Sequence, residues 1–503
     1  MDSKFSRSTL ISLLIATALS GVAFYFGTDL YPSWWPIWVA AVPVLWIAPR
    51  MNWWAAAIMA LIARSIGALN SWSYHERLQF PLWLNIETVL LPALIFTVAV
   101  LLFRMFIRRR QPWAAILAYP TFLVGAEYLL SLQLGTFGAT GYTQLNNIPV
   151  LQMAAVTGLW GVGFVVLLFT SLVATITSVP AIYPGAGKHM AVAFVLIFIT
   201  VFGYGIWRME STPTAPASVR VGLVSTATPQ NIFPSSNKDA MRLLHEYAAQ
   251  VPLLAAQGAK IVVLPEMSAV VNNTISSDVD TLFQQTARAS HVQILLGVLH
   301  AGDARTPTFN EARLYSDSTA SPTVYRKRHL VPVLEGRTTP VYGTAILSQP
   351  LGKIGLEICR DMDYSDPARF YGQAGVALLL VPAWDQPEDR WWHGHMALMR
   401  GVENGYSIVR AAKDGYLTVS DDRGRVLAEA TNTPSETFTT LLASVPVRHD
   451  TTLYQSWGDW FAWLDLAVLA GLLLSCLKAA GRASTSMASR ATVQGEFHSH
   501  RQL

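Results

Sequence analysis

Apolar runs of about twenty residues, each long enough to cross a bilayer, recur at roughly 8–27, 34–49, 53–72, 84–107, 112–134, 150–179, 190–207 and 460–480. Eight such runs commit a large part of the chain to helices, because a bilayer leaves backbone N–H and C=O groups no partner except each other. The composition agrees: 14% of the 503 residues are charged, against about 25% in soluble domains. The deficit is local. Residues 211–455 contain no spanning run and hold most of the acids.

Charge placement orients the spans. Lys4 with Arg7, Arg50, Arg104 with Arg108-Arg109-Arg110, Lys188, and Lys478 with Arg482 fall on one side, whereas the opposite short loops offer only Arg77. The positive-inside rule makes the first side cytoplasmic, so both termini are expected inside and 211–455 outside. The first run lacks a small-residue cleavage site after Phe24-Tyr25-Phe26-Gly27 and is expected to be retained. A sequence pI of about 9.0 follows from the membrane-flanking basic residues and gives no reason to invoke nucleic acid.

The expected organisation is a seven-helix membrane part over 1–210, an exported domain over 211–455, an eighth span over 456–481 and a disordered tail over 482–503. About 240 residues suffice for one large core. Strand-like runs at Val219–Ser225, Lys260–Leu264, Val292–Val298, Glu311–Tyr315, Gly343–Leu347, Lys353–Ile358, Val376–Val381, Tyr406–Ala411 and Leu441–Val445 alternate with helical patterns at Lys238–Gln257, Asp278–Ala289 and Trp391–Glu403. That alternation predicts a layered α/β fold.

Only two cysteines are present. Cys476 lies near the cytoplasmic end of the last run, so it cannot pair with Cys359 in the exported domain. Cys359 therefore needs another reason to be there. It ends an apolar strand in Lys353-Ile-Gly-Leu-Glu-Ile-Cys-Arg-Asp361. A thiol near pKa 8.5 is only a few per cent ionised at neutral pH, so a nucleophilic role requires a base and a cation nearby. Two other strand-end segments offer them: Glu266 in Ile261-Val-Val-Leu-Pro-Glu266, and Lys327 in Tyr325-Arg-Lys-Arg-His-Leu-Val-Pro-Val-Leu-Glu335. Singly, each has a bland reading as a loop acid, a solvated basic run or a core cysteine. Together, in this order and each at a strand end, they predict cysteine acyl chemistry.

In order and local sequence the three resemble the Glu-Lys-Cys triad of the nitrilase (carbon-nitrogen hydrolase) superfamily, and the membrane context resembles the apolipoprotein N-acyltransferase family. That family's Tyr-x-Lys-x-His-Leu-Val-Pro-x-x-Glu motif is matched by Tyr325, Lys327, His329, Leu330, Val331, Pro332 and Glu335. Its Arg-(Ala/Gly)-x-Glu-x-Gly segment looks like Arg400-Gly-Val-Glu-Asn-Gly405, followed by Arg410 and Asp422-Arg-Gly-Arg425. Its membrane motif is similar to Gly141-Tyr-Thr-Gln144 and Gln152-Met-Ala-Ala-Val-Thr-Gly158. The resemblance implies a four-layer αββα nitrilase-like domain on an inner-membrane bundle. It also implies Glu266 as base, Cys359 as nucleophile, Lys327 as oxyanion partner, and Glu335 orienting Lys327 or bordering the site. The implied reaction moves an acyl chain from a phospholipid, through a cysteine thioester, to the N-terminal amine of a diacylglyceryl-cysteine lipoprotein, without metal or organic cofactor. The alternative is a membrane-anchored amidase that releases its thioester to water.

The chain departs from the family pattern at Ser225-Thr-Ala227, Phe137-Gly-Ala139, Arg360-Asp361 and Pro382-Ala-Trp-Asp385, positions expected around the acyl pocket. His393-x-His395 could suggest a metal, but no cysteine or acid stands at supporting ligand spacing. Arg64 and Glu127 fall within spans, where charge is costly unless buried or paired.

Overall fold

The computed structural model describes residues 7–28, 30–178, 186–211, 217–226, 236–331, 335–350, 352–431 and 436–478. The expected tail, most of the Pro/Ser/Thr-rich stretch at 210–217, and Lys4, Ala227, Pro332 and Arg482 lie outside the described residues.

Among the described residues, seven helices are long and apolar enough to cross a membrane: Arg7–Gly27 (α1), Trp53–Arg77 (α2), Leu82–Arg108 (α3), Pro112–Leu134 (α4), Ala154–Ser178 (α5), Gly187–Glu210 (α6) and a final helix, Trp460–Lys478. The chain is thus a multi-pass membrane protein. The second expected span, 34–49, is different. It forms two short helices, Pro36–Ala40 and Val42–Ile47, and a turn at Ala48–Arg50. Pro36, Pro43 and Pro49 each withhold an N–H and restart the helix, which breaks the run into pieces. The stretch Pro36–Arg50 reaches about 22 Å as a helix, short of a core about 30 Å thick. The segment nevertheless joins both ends of the bundle. Trp38 Nε1 donates to Gln144 Oε1 (2.9 Å) at one end, and Met51 O accepts from Arg104 (2.7 Å) and Arg108 (3.3 Å) at the other. Arg77, the one basic residue against the charge bias, is paired with Glu388 of the soluble part at 2.6 Å.

The soluble part holds two sheets. Strands Ser218–Ser225 (β1), Ile261–Val263 (β2), Val270–Asn272 (β3), Gln293–Ala301 (β4), Phe309–Tyr315 (β5) and Thr323–Arg326 (β6) belong to the first. Ala345–Gln349 (β7), Gly352–Leu356 (β8), Val376–Trp384 (β9), Ser407–Lys413 (β10), Tyr416–Ser420 (β11) and Val426–Thr431 (β12) form the second. Thr439–Pro446 (β13) returns to the first sheet beside β1. The orders are β13-β1-β2-β4-β5-β6, with β3 on β4, and β12-β11-β10-β9-β8-β7.

Side-chain alternation assigns the layers. Val221 and Leu223 of β1 meet Leu378 and Leu380 of β9 and Val409 of β10 between the sheets. Val224 turns outward to the helices Asn237–Ala256 (α7) and Ser276–Ser290 (α8), through Leu243, Tyr247, Val279 and Phe283. Leu379 and Val381 turn outward to Ala397 of the helix Arg390–Asn404 (α9). The result is an α/β sandwich of helix, sheet, sheet and helix: the strand–helix alternation predicts the layered α/β fold, and the resemblance implies the four layers.

α9 is buried on both sides. Trp391, Trp392, Leu398, Met399 and Val402 join the core of the membrane bundle rather than solvent. At this seam the family-like motifs meet. Arg400 donates to Thr136 Oγ1 and to the Tyr142 hydroxyl (2.9 Å each) and pairs with Glu403. Glu403 Oε1 accepts from Leu159 N at 2.8 Å. Gly158 makes this possible: its φ is +67°, and a Cβ there would lie 2.3 Å from the Tyr454 ring. Gln152 bridges Arg208 of α6 and the Arg423 carbonyl. Removing one partner of such a buried pair costs about 3–5 kcal/mol. We therefore expect Arg400→Met to lower the thermal midpoint of the detergent-solubilised protein sharply, and Arg400→Met with Glu403→Gln to recover part of the loss. Unchanged midpoints would show that the pair does not hold the seam.

Candidate active site

Three strands deliver the candidate residues to one edge of the sandwich. Glu266 follows β2 and Pro265. Gly297 on the neighbouring β4 lets that segment cross closely, since a Cβ there would meet Pro265 O at 2.4 Å and Glu266 Cα at 2.6 Å. Lys327 follows β6, and its N–H donates to Asn310 O at 2.9 Å. Cys359 follows β8 and opens the turn Cys359–Asp363 with φ +44°, a left-handed conformation that a non-glycine residue adopts at some cost. Cys359 packs there, partly buried, against the core between the two sheets.

The carboxylates, ammonium and amide close a ring. Lys327 Nζ donates to Glu266 Oε1 (2.7 Å) and Glu335 Oε2 (2.8 Å), and Asn310 Nδ2 donates to Glu266 Oε1 (2.6 Å) and Glu335 Oε1 (2.7 Å). Glu335 Oε2 also accepts from Val331 N at 2.7 Å. All four residues are buried. Glu266 Oε2 accepts no hydrogen bond among the described residues, so one oxygen of this acid is left for a proton.

The electrostatics follow from burial. Loss of solvent raises the Glu266 carboxyl above its ordinary range, and the Lys327 ammonium offsets part of that rise. Burial works against the Lys327 charge, yet Glu266 and Glu335 together hold its pKa well above the usual lysine value. Desolvation also pushes the Cys359 thiol well up; the Glu266 charge adds to this and Lys327 opposes it. The resting group is thus a thiol. It donates to the Trp384 carbonyl at 3.5 Å, and its reactivity depends on a base that takes the proton during attack.

Asp361, noted above only as a departure from the family pattern, organises the turn in a way the sequence did not announce. Its Oδ1 accepts from the N–H groups of Arg328 (3.2 Å) and His329 (2.8 Å), and its Oδ2 from the Tyr325 hydroxyl (2.8 Å) and Ile358 N (3.3 Å). One carboxylate thereby ties the Lys327 segment to the Cys359 turn. The available signal was an acid two residues beyond the cysteine. Asn310, also missed, lies within a strand and carries no comparable signal.

The same turn is fastened to the end of α4. Arg360 donates to the Leu134 carbonyl (3.2 Å), Tyr364 to the Gln133 carbonyl (3.4 Å), and Thr136 N to the Asp363 carbonyl (2.8 Å). Other departures also border the site. Asp385 takes two bonds from Arg410 (2.8 and 2.5 Å), and Phe137 packs edge-on against Trp392. His393 turns to Asp389 at 2.9 Å, while His395 turns to Trp391 O and Glu429, so the two rings face different partners. Within the spans, Glu127 accepts from Thr140 N (3.1 Å) and Oγ1 (2.5 Å), whereas Arg64 lies under the Phe24 ring at 5.4 Å.

Comparison with known proteins gives two family matches: carbon-nitrogen hydrolase over residues 221–448, and apolipoprotein N-acyltransferase N-terminal domain over residues 20–172. The chain is similar to apolipoprotein N-acyltransferase of Geobacter metallireducens, 26% identical over 70% of this chain and 72% of that protein. It is also similar to that of Haemophilus ducreyi, 23% identical over 90% of this chain and 95% of that protein. Among solved structures, an amidase from Nesterenkonia sp. superposes with a TM-score of 0.40 at 19% identity, covering 49% of this chain and 95% of the amidase. The chain thus carries, in order, a region matching the apolipoprotein N-acyltransferase N-terminal domain and a carbon-nitrogen hydrolase domain, and relatives named apolipoprotein N-acyltransferase align across both.

Proposed function

We propose that the protein transfers a fatty acyl chain from a phospholipid to the N-terminal amine of a diacylglyceryl-cysteine lipoprotein, with Cys359 as nucleophile, Glu266 as base, Lys327 at the oxyanion and Glu335 as its support. The observation that carries this reading is the fastening of the Cys359 turn to the end of α4 through Arg360, Tyr364 and Thr136. A nucleophile anchored where a spanning helix ends is at the depth of a lipid ester. A hydrolase of small soluble amides gains nothing from that placement.

The chemistry proceeds in two halves. The Cys359 proton moves to Glu266 Oε2 as sulfur attacks the sn-1 ester carbonyl, and the Lys327 ammonium stabilises the oxyanion. Collapse breaks the carbonyl bond to the glycerol oxygen, which takes the proton from Glu266 and leaves as lysophospholipid. A thioester remains on Cys359. The lipoprotein's amine then attacks the thioester and gives its proton to Glu266. Carbon–sulfur cleavage yields the amide, and the proton returns to sulfur. One nucleophile serving both halves makes the kinetics ping-pong.

The lipoprotein reading places the soluble domain on the periplasmic face of the inner membrane, in keeping with the lysine and arginine bias. An alkaline phosphatase fusion inside the soluble domain should be active, and one after the final helix inactive; the reverse pattern would put the site out of reach of exported lipoproteins. The reaction itself is tested with purified protein, phospholipid and a diacylglyceryl-cysteine peptide. The expected product is the triacylated peptide, detected by its added acyl mass. Release of free fatty acid with no change in the peptide would point to the hydrolase instead.

A further inference from the structure

The segment that ends β9 and turns into α9 is held at both ends. At its start, Ala383 O accepts from Glu266 N (3.2 Å) and Trp384 O accepts the Cys359 thiol (3.5 Å), so two consecutive carbonyls take one bond from the base and one from the nucleophile. Asp385 then fixes the strand end through its two bonds from Arg410. Four residues on, Asp389 closes the turn: it is 2% exposed, and its Oδ1 accepts from Gln386 N at 2.9 Å. Its other oxygen is reached from the membrane bundle. The Tyr74 hydroxyl, near the outer end of α2, donates to Asp389 Oδ2 at 2.5 Å, and His393 Nδ1 meets the same oxygen at 2.9 Å.

Of the two ties from α2 to this turn, Tyr74 is the firm one. Burial works against the Asp389 charge, yet the His393 ring, the Tyr74 hydroxyl and the Gln386 N–H together hold its pKa below the ordinary carboxylate value. A hydroxyl that donates to a charged carboxylate makes one of the stronger hydrogen bonds, and both partners here are buried. The neighbouring Arg77–Glu388 pair has an arginine side chain that is 66% exposed, and exposed ion pairs contribute little. The placement of this turn bears on the chemistry. Glu266 follows β2 in one sheet and Cys359 follows β8 in the other, and residues 383–384 are bonded to both. A misplacement of about 1 Å between reacting groups can cost about 10²-fold in rate.

We propose that Tyr74 is a positioning residue for acyl transfer: through Asp389 it holds the turn 383–389 where Glu266 and Cys359 stand in register. The membrane bundle then does more than anchor the soluble domain. One of its spanning helices sets the geometry between the base and the nucleophile, from a residue 315 positions away from the carboxylate it binds. The proposal rests on the assignment of Glu266 and Cys359 given above.

The test follows acylation of Cys359 by a diacyl phospholipid in the full-length protein in mixed micelles, with rates counted per Cys359 thiol that iodoacetamide titrates. Tyr74→Phe keeps the ring and loses the donor. It should lower the maximal acylation rate about tenfold or more, while the phospholipid concentration for half-maximal rate stays within about twofold of wild type. Asp389→Ala should cause a similar loss. The double variant should be no slower than Asp389→Ala alone, because both changes break the same tie. A purely structural role for Tyr74 has a different pattern, a lower thermal midpoint with an unchanged rate per thiol. That pattern would overturn the proposal, as would additive losses in the double variant or a loss confined to the half-maximal concentration. Failure of the Glu266 and Cys359 assignment has a separate signature: Glu266→Gln acylated at the wild-type rate, an outcome that removes this proposal as well.

Discussion

Cys359→Ala is expected to abolish acyl transfer while leaving insertion and folding intact. No other nucleophile stands in the ring of Glu266, Lys327, Glu335 and Asn310, so the covalent route closes completely. Losses on the order of 10⁴-fold or more accompany removal of a covalent nucleophile. The substitution removes one sulfur from a partly exposed position, so its effect on stability should stay within about 1 kcal/mol. Cys359→Ser should be almost as inactive. The resting thiol is already held above its ordinary pKa by desolvation, and a hydroxyl starts far higher, so the same carboxylate cannot activate it. Triacylated-peptide formation and thermal unfolding, measured on the same preparations, separate chemistry from folding. Turnover near wild type in Cys359→Ala would sink the mechanism.

Lys327→Ala should produce two large effects with different cures. The ammonium is the only cation in the ring, and both Glu266 and Glu335 lean on it. Its loss leaves two buried carboxylates facing each other, at a cost of about 3–5 kcal/mol for a broken buried pair. It also removes the charge that meets the oxyanion, where a lost donor costs about 2.7–4 kcal/mol of transition-state stabilisation. A second change, Glu335→Gln, should recover much of the stability by removing one of the opposed charges. It should recover none of the rate. Lys327→Arg is not a conservative test, because a planar guanidinium cannot reproduce the two bonds of a compact ammonium. Glu266→Gln should also slow thioester formation by orders of magnitude, since the amide cannot take the thiol proton. Recovery of both stability and rate in the double variant would make Lys327 structural only.

The sequence made some of this architecture legible for identifiable reasons. The apolar runs at β1 and β9 announced strands, and they are apolar on both faces because successive residues meet different apolar layers. The strand-end positions of Glu266, Lys327 and Cys359 were visible as apolar runs that stop at a polar residue. β11 was missed, although Asp414-Gly415 is a turn dipeptide and Asp414 has the positive φ of a tight hairpin. The 34–49 segment has the hydrophobicity of a span and reaches both ends of the bundle; what the sequence did not announce is that its prolines break it into short helices. Asn310 could not be foreseen. It lies one residue before the expected strand Glu311–Tyr315, and its importance comes from two carboxylates that arrive from other segments. The fastening of Arg360 to α4 was equally invisible, because it joins residues 226 positions apart through a main-chain carbonyl.

The most direct test of the central claim is mass spectrometry of the wild-type protein after a brief exposure to phospholipid, without acceptor. One acyl chain should be found on the peptide bearing Cys359, labile to hydroxylamine as a thioester is. Adding a diacylglyceryl-cysteine peptide should discharge that chain onto the peptide's amine, with no matching release of fatty acid. An unmodified Cys359 alongside triacylated product, or a thioester that passes only to water, would contradict the account.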